Sequence, residues 1–175
     1  NKEYKKGSLL KDFCQDNNLS LDIPNMLNFH HSLYKHQENA IKSILEDKCT
    51  IVSTGTGSGK TESFLIPILD YCIKNKYKKG VKALIIYPMN ALASDQLRRI
   101  EEATSNSGIT YAIFNGETPN RSDIKDIDDD NSIICREDIV ENKPDILITN
   151  YVMLERILTN EKYSHIFESL DKVFK

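Results

Sequence analysis

The 175-residue sequence has no long hydrophobic run, no clustered cysteines and no excess of positive charge. The first absence excludes a membrane-spanning helix, which needs about 18 consecutive apolar residues. Nor does the opening Asn1-Lys2-Glu3-Tyr4-Lys5-Lys6 lead into an apolar stretch long enough for a secretory signal. The cysteines, Cys14, Cys49, Cys72 and Cys135, are scattered, without a C-x-x-C pair or a histidine at ligand spacing. That pattern argues against a zinc site or a disulfide framework and for reduced thiols in a cytoplasmic protein. A formal net charge of −3 excludes bulk basicity, so any nucleic-acid contact must come from local groups. The length suits one domain with one core.

Against these absences stands one dense signal. Residues 53–62 read Ser-Thr-Gly-Thr-Gly-Ser-Gly-Lys-Thr-Glu. Gly55, Gly57 and Gly59 let the backbone turn tightly and bring its N–H groups against phosphate oxygens. Lys60 is placed to reach the β- and γ-phosphates, and the Thr61 hydroxyl to ligate Mg²⁺. Thr54, Thr56 and Ser58 complete the loop, and Glu62 falls in the first turn of the helix that follows, where an acidic residue suits the helix dipole. The apolar run Cys49-Thr50-Ile51-Val52 before the loop and the apolar-periodic stretch Phe64–Ile73 after it supply the strand–loop–helix context, with the helix N-terminus aimed at the anion. Thr54 stands where the general phosphate-loop pattern has glycine.

Helix-like and strand-like segments alternate along the chain. Leu9–Gln15 predicts a short helix, followed by a polar linker around Asp16–Ser20 and Pro24. Lys35–Glu46 puts Ala40, Ile41, Ile44 and Leu45 on one face at helical spacing. A strand at 49–53, the phosphate loop and a helix to Asn75 come next. Val81–Tyr87 is nearly continuously apolar and is stopped by Pro88, as a buried parallel strand would be. A helix over Asn90–Ala103, a strand over Thr110–Phe114, a strand over Asp145–Thr149 and a helix over Tyr151–Leu158 follow. The polar, acidic stretch Gly116–Pro144 predicts an excursion with little regular structure. The alternation predicts an α/β fold, a parallel sheet with helices on both faces.

Four motifs flank the loop. Upstream lies Leu33-Tyr34-Lys35-His36-Gln37. The Gln37 amide offers a donor and an acceptor that match the N6 and N7 edge of adenine. Tyr34 is a candidate to stack on the base, with packing beside Leu33 the alternative. Downstream come Tyr87-Pro88-Met89-Asn90, with Gln96 further along the same helix, then Asn115-Gly116-Glu117-Thr118, and last Thr149-Asn150-Tyr151 at a strand-to-helix junction. In this order and spacing they resemble the first RecA-like domain of a superfamily 2, DEAD/DEAH-type helicase, over about residues 30–158, with wording nearest the RecQ-like and MrfA-like DNA-repair group. The resemblance implies a RecA-like phosphate-loop fold, with residues 1–29 an extension and 30–175 the helicase domain. It implies that Gln37 belongs to the motif that reads adenine and that residues 54–61 hold Mg-ATP. It implies that Pro88, Asn90, Gln96, Gly116, Thr149 and Asn150 grip a single nucleic-acid strand, DNA rather than RNA, and that the partner is a second RecA-like domain of the same polypeptide.

One motif of that family is missing. No Asp-Glu pair, which would coordinate Mg²⁺ through water and orient the attacking water, occurs in the chain. Val173-Phe174-Lys175 reads as the start of the strand that would carry it, so the expectation is an incomplete domain that is hydrolytically inactive by itself. Asp128–Asp130 reads as a solvated acidic loop. A nucleotide-kinase-like transferase leaves Gln37 and Thr149-Asn150 without a role. A non-catalytic nucleotide-sensing module stays open.

Overall fold

The computed structural model describes residues 4–88, 94–123, 132–133 and 135–168. They form two units, Asn1–Lys74 and Asn75–Lys175.

In the first unit, β1 (Lys6–Leu9) leads into α1 (Leu10–Asp16), followed by α2 (Ile23–Met26), β2 (Ser32–Tyr34), α3 (Lys35–Leu45) and α4 (Lys60–Lys74). β1 and β2 pair antiparallel, Lys6 opposite Tyr34 and Leu9 opposite Ser32. Leu10, Phe13, Leu33, Ile41, Leu65, Ile66 and Leu69 fill the core. The stretch expected as a polar linker contributes to it, because Leu19 and Ile23 are buried and Pro24 sits in the first turn of α2, where its fixed φ suits the helix.

Two buried carboxylates hold the early chain to the helices. Glu38 on α3 accepts the Ser8 N–H at 2.5 Å and the Lys35 ammonium at 2.6 Å. Burial alone pushes its pKa up, but those hydrogen bonds outweigh it and hold the carboxyl below the usual glutamate range. Gly7 fits only because it has no side chain, since a Cβ there would collide with the Glu38 carboxylate. Asp70 on α4 accepts the Ser20 N–H at 2.8 Å and pairs with Lys74 at 2.8 Å.

The second unit is built on β3 (Ala83–Tyr87), α5 (Ser94–Thr104), β4 (Tyr111–Phe114), β5 (Ser132–Ile133), α6 (Arg136–Asn142), β6 (Ile146–Asn150), α7 (Tyr151–Thr159) and α8 (Glu161–Ser164). The sheet order is β3-β6-β4-β5, parallel throughout. β6 lies inside the sheet with all five residues buried, which is why its run Ile-Leu-Ile-Thr-Asn is apolar rather than alternating. Leu84, Ala112, Phe114, Ile139, Leu147, Met153, Ile157, Tyr163 and Ile166 pack into one cluster. At the N-terminal ends of the strands, Asp145 pairs with Lys82 and accepts the Thr110 N–H at 2.9 Å.

Two expectations are corrected. Residues 49–53 are not a strand, and Ile51 is 91% exposed. A β-branched run becomes a strand only when a neighbour completes its hydrogen-bond ladder, and among the described residues none does. The stretch from Gly116 to Pro144 is more regular than its polarity suggests. It holds a 3-10 turn at Arg121–Asp123, β5 and α6, with Ile139 fully buried. Ile139 and Val140, adjacent on a seven-residue helix, make no repeat for periodicity to register. Asp126 and Asp128–Asp130 lie outside the described residues.

Candidate nucleotide and nucleic-acid sites

The phosphate loop of the first unit is built as its glycines require. Gly57 and Gly59 adopt φ of +71° and +73°, left-handed values that glycine takes without strain. At Gly59 the close approach is decisive, since a Cβ would strike the Gln37 side chain. Gln37 is 2% exposed, and its amide oxygen and nitrogen each have a partner. Its Nε2 donates to the Gly59 carbonyl at 2.7 Å, and its Oε1 accepts the Tyr34 N–H at 2.7 Å. Gln37 thus caps α3 and ties that helix to the loop in one side chain. His36 makes a second tie, its Nε2 lying 2.9 Å from the Ser58 carbonyl. Within the loop the Thr54 and Ser58 hydroxyls meet at 2.6 Å.

Lys60 Nζ donates to the carbonyls of Thr54 at 2.9 Å and Gly55 at 2.7 Å. The ammonium therefore sits inside the curve of the loop. Gly55, Thr56 and Gly57 are exposed along it, and Thr61 and Glu62 are half-buried in the first turn of the 15-residue α4. The Glu62 carboxylate lies 3.5 Å from Gln37 Nε2. Beside the loop, Tyr34 stacks on His36 at 5.6 Å with the rings 13° from parallel, and Tyr4 tilts against both. The Tyr4 hydroxyl is so near Gly55 that a Cβ there would stand 3.0 Å from it. Sequence reasoning passed over Tyr4, which lies far upstream of every motif and has no neighbour in sequence that marks it.

This cradle fits a triphosphate. The loop has two left-handed glycines, a cation on flexible methylenes and a long helix starting at its end, the arrangement that binds anions. Magnesium fits through Thr61 together with phosphate oxygens and water, the usual sparse protein ligation of that ion. Among the described residues no group of three or more His, Cys, Asp or Glu side chains is placed to hold a metal ion without a phosphate.

Of the candidate strand-binding residues of the second unit, Pro88, Gly116, Thr149 and Asn150 gather at the C-terminal ends of three adjacent strands. Tyr87 of β3 is in register with Asn150 of β6, and Thr149 with Phe114 of β4. Pro88, exposed, and the Gly116 turn therefore flank Thr149-Asn150 on either side. This carboxyl edge is where open α/β sheets place their ligands. Thr149 itself is fully buried, and its hydroxyl donates to the Phe114 carbonyl at 2.6 Å. Asn150 is 8% exposed and caps α7, its Oδ1 accepting the Met153 N–H at 2.9 Å. Gly116 is exposed with open space where a side chain would extend. Asn90 lies outside the described residues, as does the side chain of Gln96 on α5. Arg136, which sequence reasoning also missed, reaches the Gly116 turn from α6.

Among the described residues no helix is long and apolar enough to cross a membrane. Comparison with known proteins agrees with this geometry. The chain is 40% identical over 92 residues to the Druantia protein DruE of Escherichia coli, covering 47% of this chain and 5% of that protein. It is 33% identical over 129 residues to an uncharacterized ATP-dependent helicase of Methanocaldococcus jannaschii, covering 73% of this chain and 17% of the relative. The fold matches the crystal structure of the DUF1998 helicase MrfA bound to DNA, with a TM-score of 0.73 at 22% identity over 98% of this chain and 22% of that one. The same helicase bound to DNA and AMPPNP matches with a TM-score of 0.70 at 23% identity, again over 98% of this chain and 22% of that one. The chain thus spans a small part of the length of these relatives. A family model described as DEAD/DEAH box helicase matches residues 34–173, and the chain belongs to that family.

Proposed function

We propose that this chain is the ATP-binding RecA-like domain of a nucleic-acid helicase or translocase that acts on DNA. The observation that carries the reading is the tie between α3 and the phosphate loop, where Gln37 holds the Gly59 carbonyl and Lys60 lies within the loop's curve. A phosphate arriving on the loop offers Lys60 charged acceptors in place of two neutral carbonyls, a stronger partner for an ammonium. The N–H groups around Gly57 and Gly59 and the start of α4 take the remaining oxygens. Thr61 would offer its hydroxyl to Mg²⁺, which would supply positive charge against the phosphates. Gln37 and Tyr34, beside the loop, receive the adenine.

In the second unit, Pro88, Asn90, Gln96, the Gly116 turn and Asn150 contact the sugar-phosphate backbone of a single strand. Such contacts position a strand and carry no sequence information. Thr149 acts from inside the sheet by fixing the carbonyl end of β4. A second RecA-like domain of the same polypeptide supplies the opposite wall of the groove and the groups that complete hydrolysis. A DNA-bound helicase among the structural matches supports DNA as the substrate, although RNA helicases of yeasts and Dictyostelium are also related in sequence. Calorimetric titration with Mg-ATP tests the nucleotide site. Wild type binds, and Lys60→Ala weakens binding by at least about tenfold, as loss of a charge-assisted contact does. Equal affinity for the two proteins removes the site assignment.

A further inference from the structure

The turn that follows β4 is held by a residue outside the motifs read from the sequence. Arg136 is the first residue of α6, and its Nε donates to the Thr118 carbonyl at 2.8 Å. Its Nη2 reaches the carbonyls of Gly116 at 3.2 Å and Asn115 at 3.4 Å. The guanidinium also lies over the Phe114 ring, 5.8 Å from its centre, and the Arg136 N–H donates to Pro119 at 3.0 Å. A planar fork can span three carbonyls in this way, whereas an ammonium is a single point. The position is not chosen for the helix. A cation at a helix N-terminus opposes the dipole, and α6 otherwise opens on Glu137 and Asp138, which suit it.

The consequence lies on the other side of the turn. The Asn115 N–H donates to the Thr118 hydroxyl at 2.8 Å, the Glu117 N–H to the Asn115 side chain at 2.9 Å, and the Thr118 N–H to the Asn115 carbonyl at 3.4 Å. Of the backbone N–H groups of 115–118, that of Gly116 alone makes no hydrogen bond among the described residues, and the residue is exposed. Carbonyl oxygens facing a phosphate would repel it, and Arg136 draws three of them to itself. We infer that Arg136 is a positioning residue for nucleic-acid binding: it turns the Asn115, Gly116 and Thr118 carbonyls away and presents the Gly116 N–H to a backbone phosphate without touching the strand. This rests on the proposed reading of the Gly116 turn as a strand contact.

The test measures binding of a labelled oligothymidylate to the full chain across a salt series, with melting curves for each variant. Arg136→Lys keeps the charge but cannot span the carbonyls, so it and Arg136→Ala should both lose roughly tenfold in affinity, the order of one lost phosphate hydrogen bond. The slope of log K against log salt should stay that of wild type for both, because no cation has left a phosphate. Lysine restoring the affinity, with alanine reducing the slope by about 0.7, would make Arg136 a direct phosphate contact and overturn the proposal. A fall in melting temperature with affinity unchanged in the folded protein would make it purely structural, and overturn it equally. Gly116→Glu, which places a carboxylate in open space, separates this from the underlying reading. If it abolishes binding while Arg136→Lys has no effect, the turn is a contact and the positioning role fails. If it leaves binding intact, the turn is no contact and the proposal falls with it.

Discussion

At the scale of single residues, Gln37 ties the loop and is proposed to read adenine, two roles that one substitution would blur. Its amide already bridges Tyr34 and Gly59, and the proposed adenine contact uses the same two groups. Replacing Gln37 by Ala removes the loop tie, which should weaken ATP and GTP alike. It also removes base recognition, which should weaken ATP more. A bidentate amide is worth about 1–3 kcal/mol of base discrimination, so the ATP-to-GTP affinity ratio should fall by roughly tenfold or more. Competition titrations with both nucleotides give that ratio directly. An equal loss for both would leave the loop tie as the whole role of Gln37. Gly59→Ala makes the complementary disturbance from the loop side. Its left-handed φ and the clash with the Gln37 amide should shift the loop and weaken both nucleotides, and displacing that amide should lower the ATP-to-GTP ratio as well.

At the scale of elements, α3 and α6 each make a prediction. The Glu38 carboxyl sits below its ordinary pKa because Lys35 and the Ser8 N–H hold its charged form against the cost of burial. A lowered folded pKa contributes stability that is complete above the unfolded value, about 4.3, and is lost as pH falls through the lower folded value. Glu38→Gln should therefore lower the melting temperature at pH 7, and the gap to wild type should close as the pH is taken toward 3. A gap that persists at pH 3 would assign the loss to packing instead. On α6, Ile139 is fully buried in the sheet cluster, so Ile139→Ala should cost about 2–5 kcal/mol in chemical unfolding. A surface excursion would tolerate the change within about 0.5 kcal/mol.

These two elements also mark what the sequence could express. α3, α4, β3, β6 and α7 are legible because each sets its apolar residues at a period, or in a run, that only one kind of element satisfies. The phosphate loop is legible because glycine spacing and Lys-Thr are local. By contrast α6, the β1–β2 pair and Tyr4 owe their places to partners distant in the chain. Ser8 meets Glu38 and Arg136 meets Thr118 through contacts that no local pattern encodes. The segment 49–53 shows the reverse case: its β-branched composition is local, but a strand needs a ladder partner, and composition cannot supply one.

At the scale of the whole molecule, the issue is whether binding and hydrolysis separate. Phosphoryl transfer to water requires the γ-phosphate to be held, Mg²⁺ fixed, a water oriented and the developing charge neutralised. In the proposed site Gly57, Gly59, Lys60 and Thr61 would serve the first need and part of the second. No adjacent Asp-Glu pair occurs in the 175 residues to orient the water. A second domain is also the usual source of an arginine at the γ-phosphate, and that group alone is worth on the order of 10³-fold or more in rate. The chain by itself should therefore bind Mg-ATP and release no phosphate above background, with or without single-stranded DNA. Its DNA affinity should be weak and only modestly salt-dependent, since each phosphate contact adds about 0.7 to the slope of log K against log salt. A longer polypeptide that includes an Asp-Glu motif and a second RecA-like domain should show DNA-stimulated turnover, steeper salt dependence and unwinding. Phosphate release from the two proteins, side by side with and without oligothymidylate, decides the matter. Stimulated turnover by the 175 residues alone would place a catalytic carboxylate within them and overturn the division of labour between the two domains.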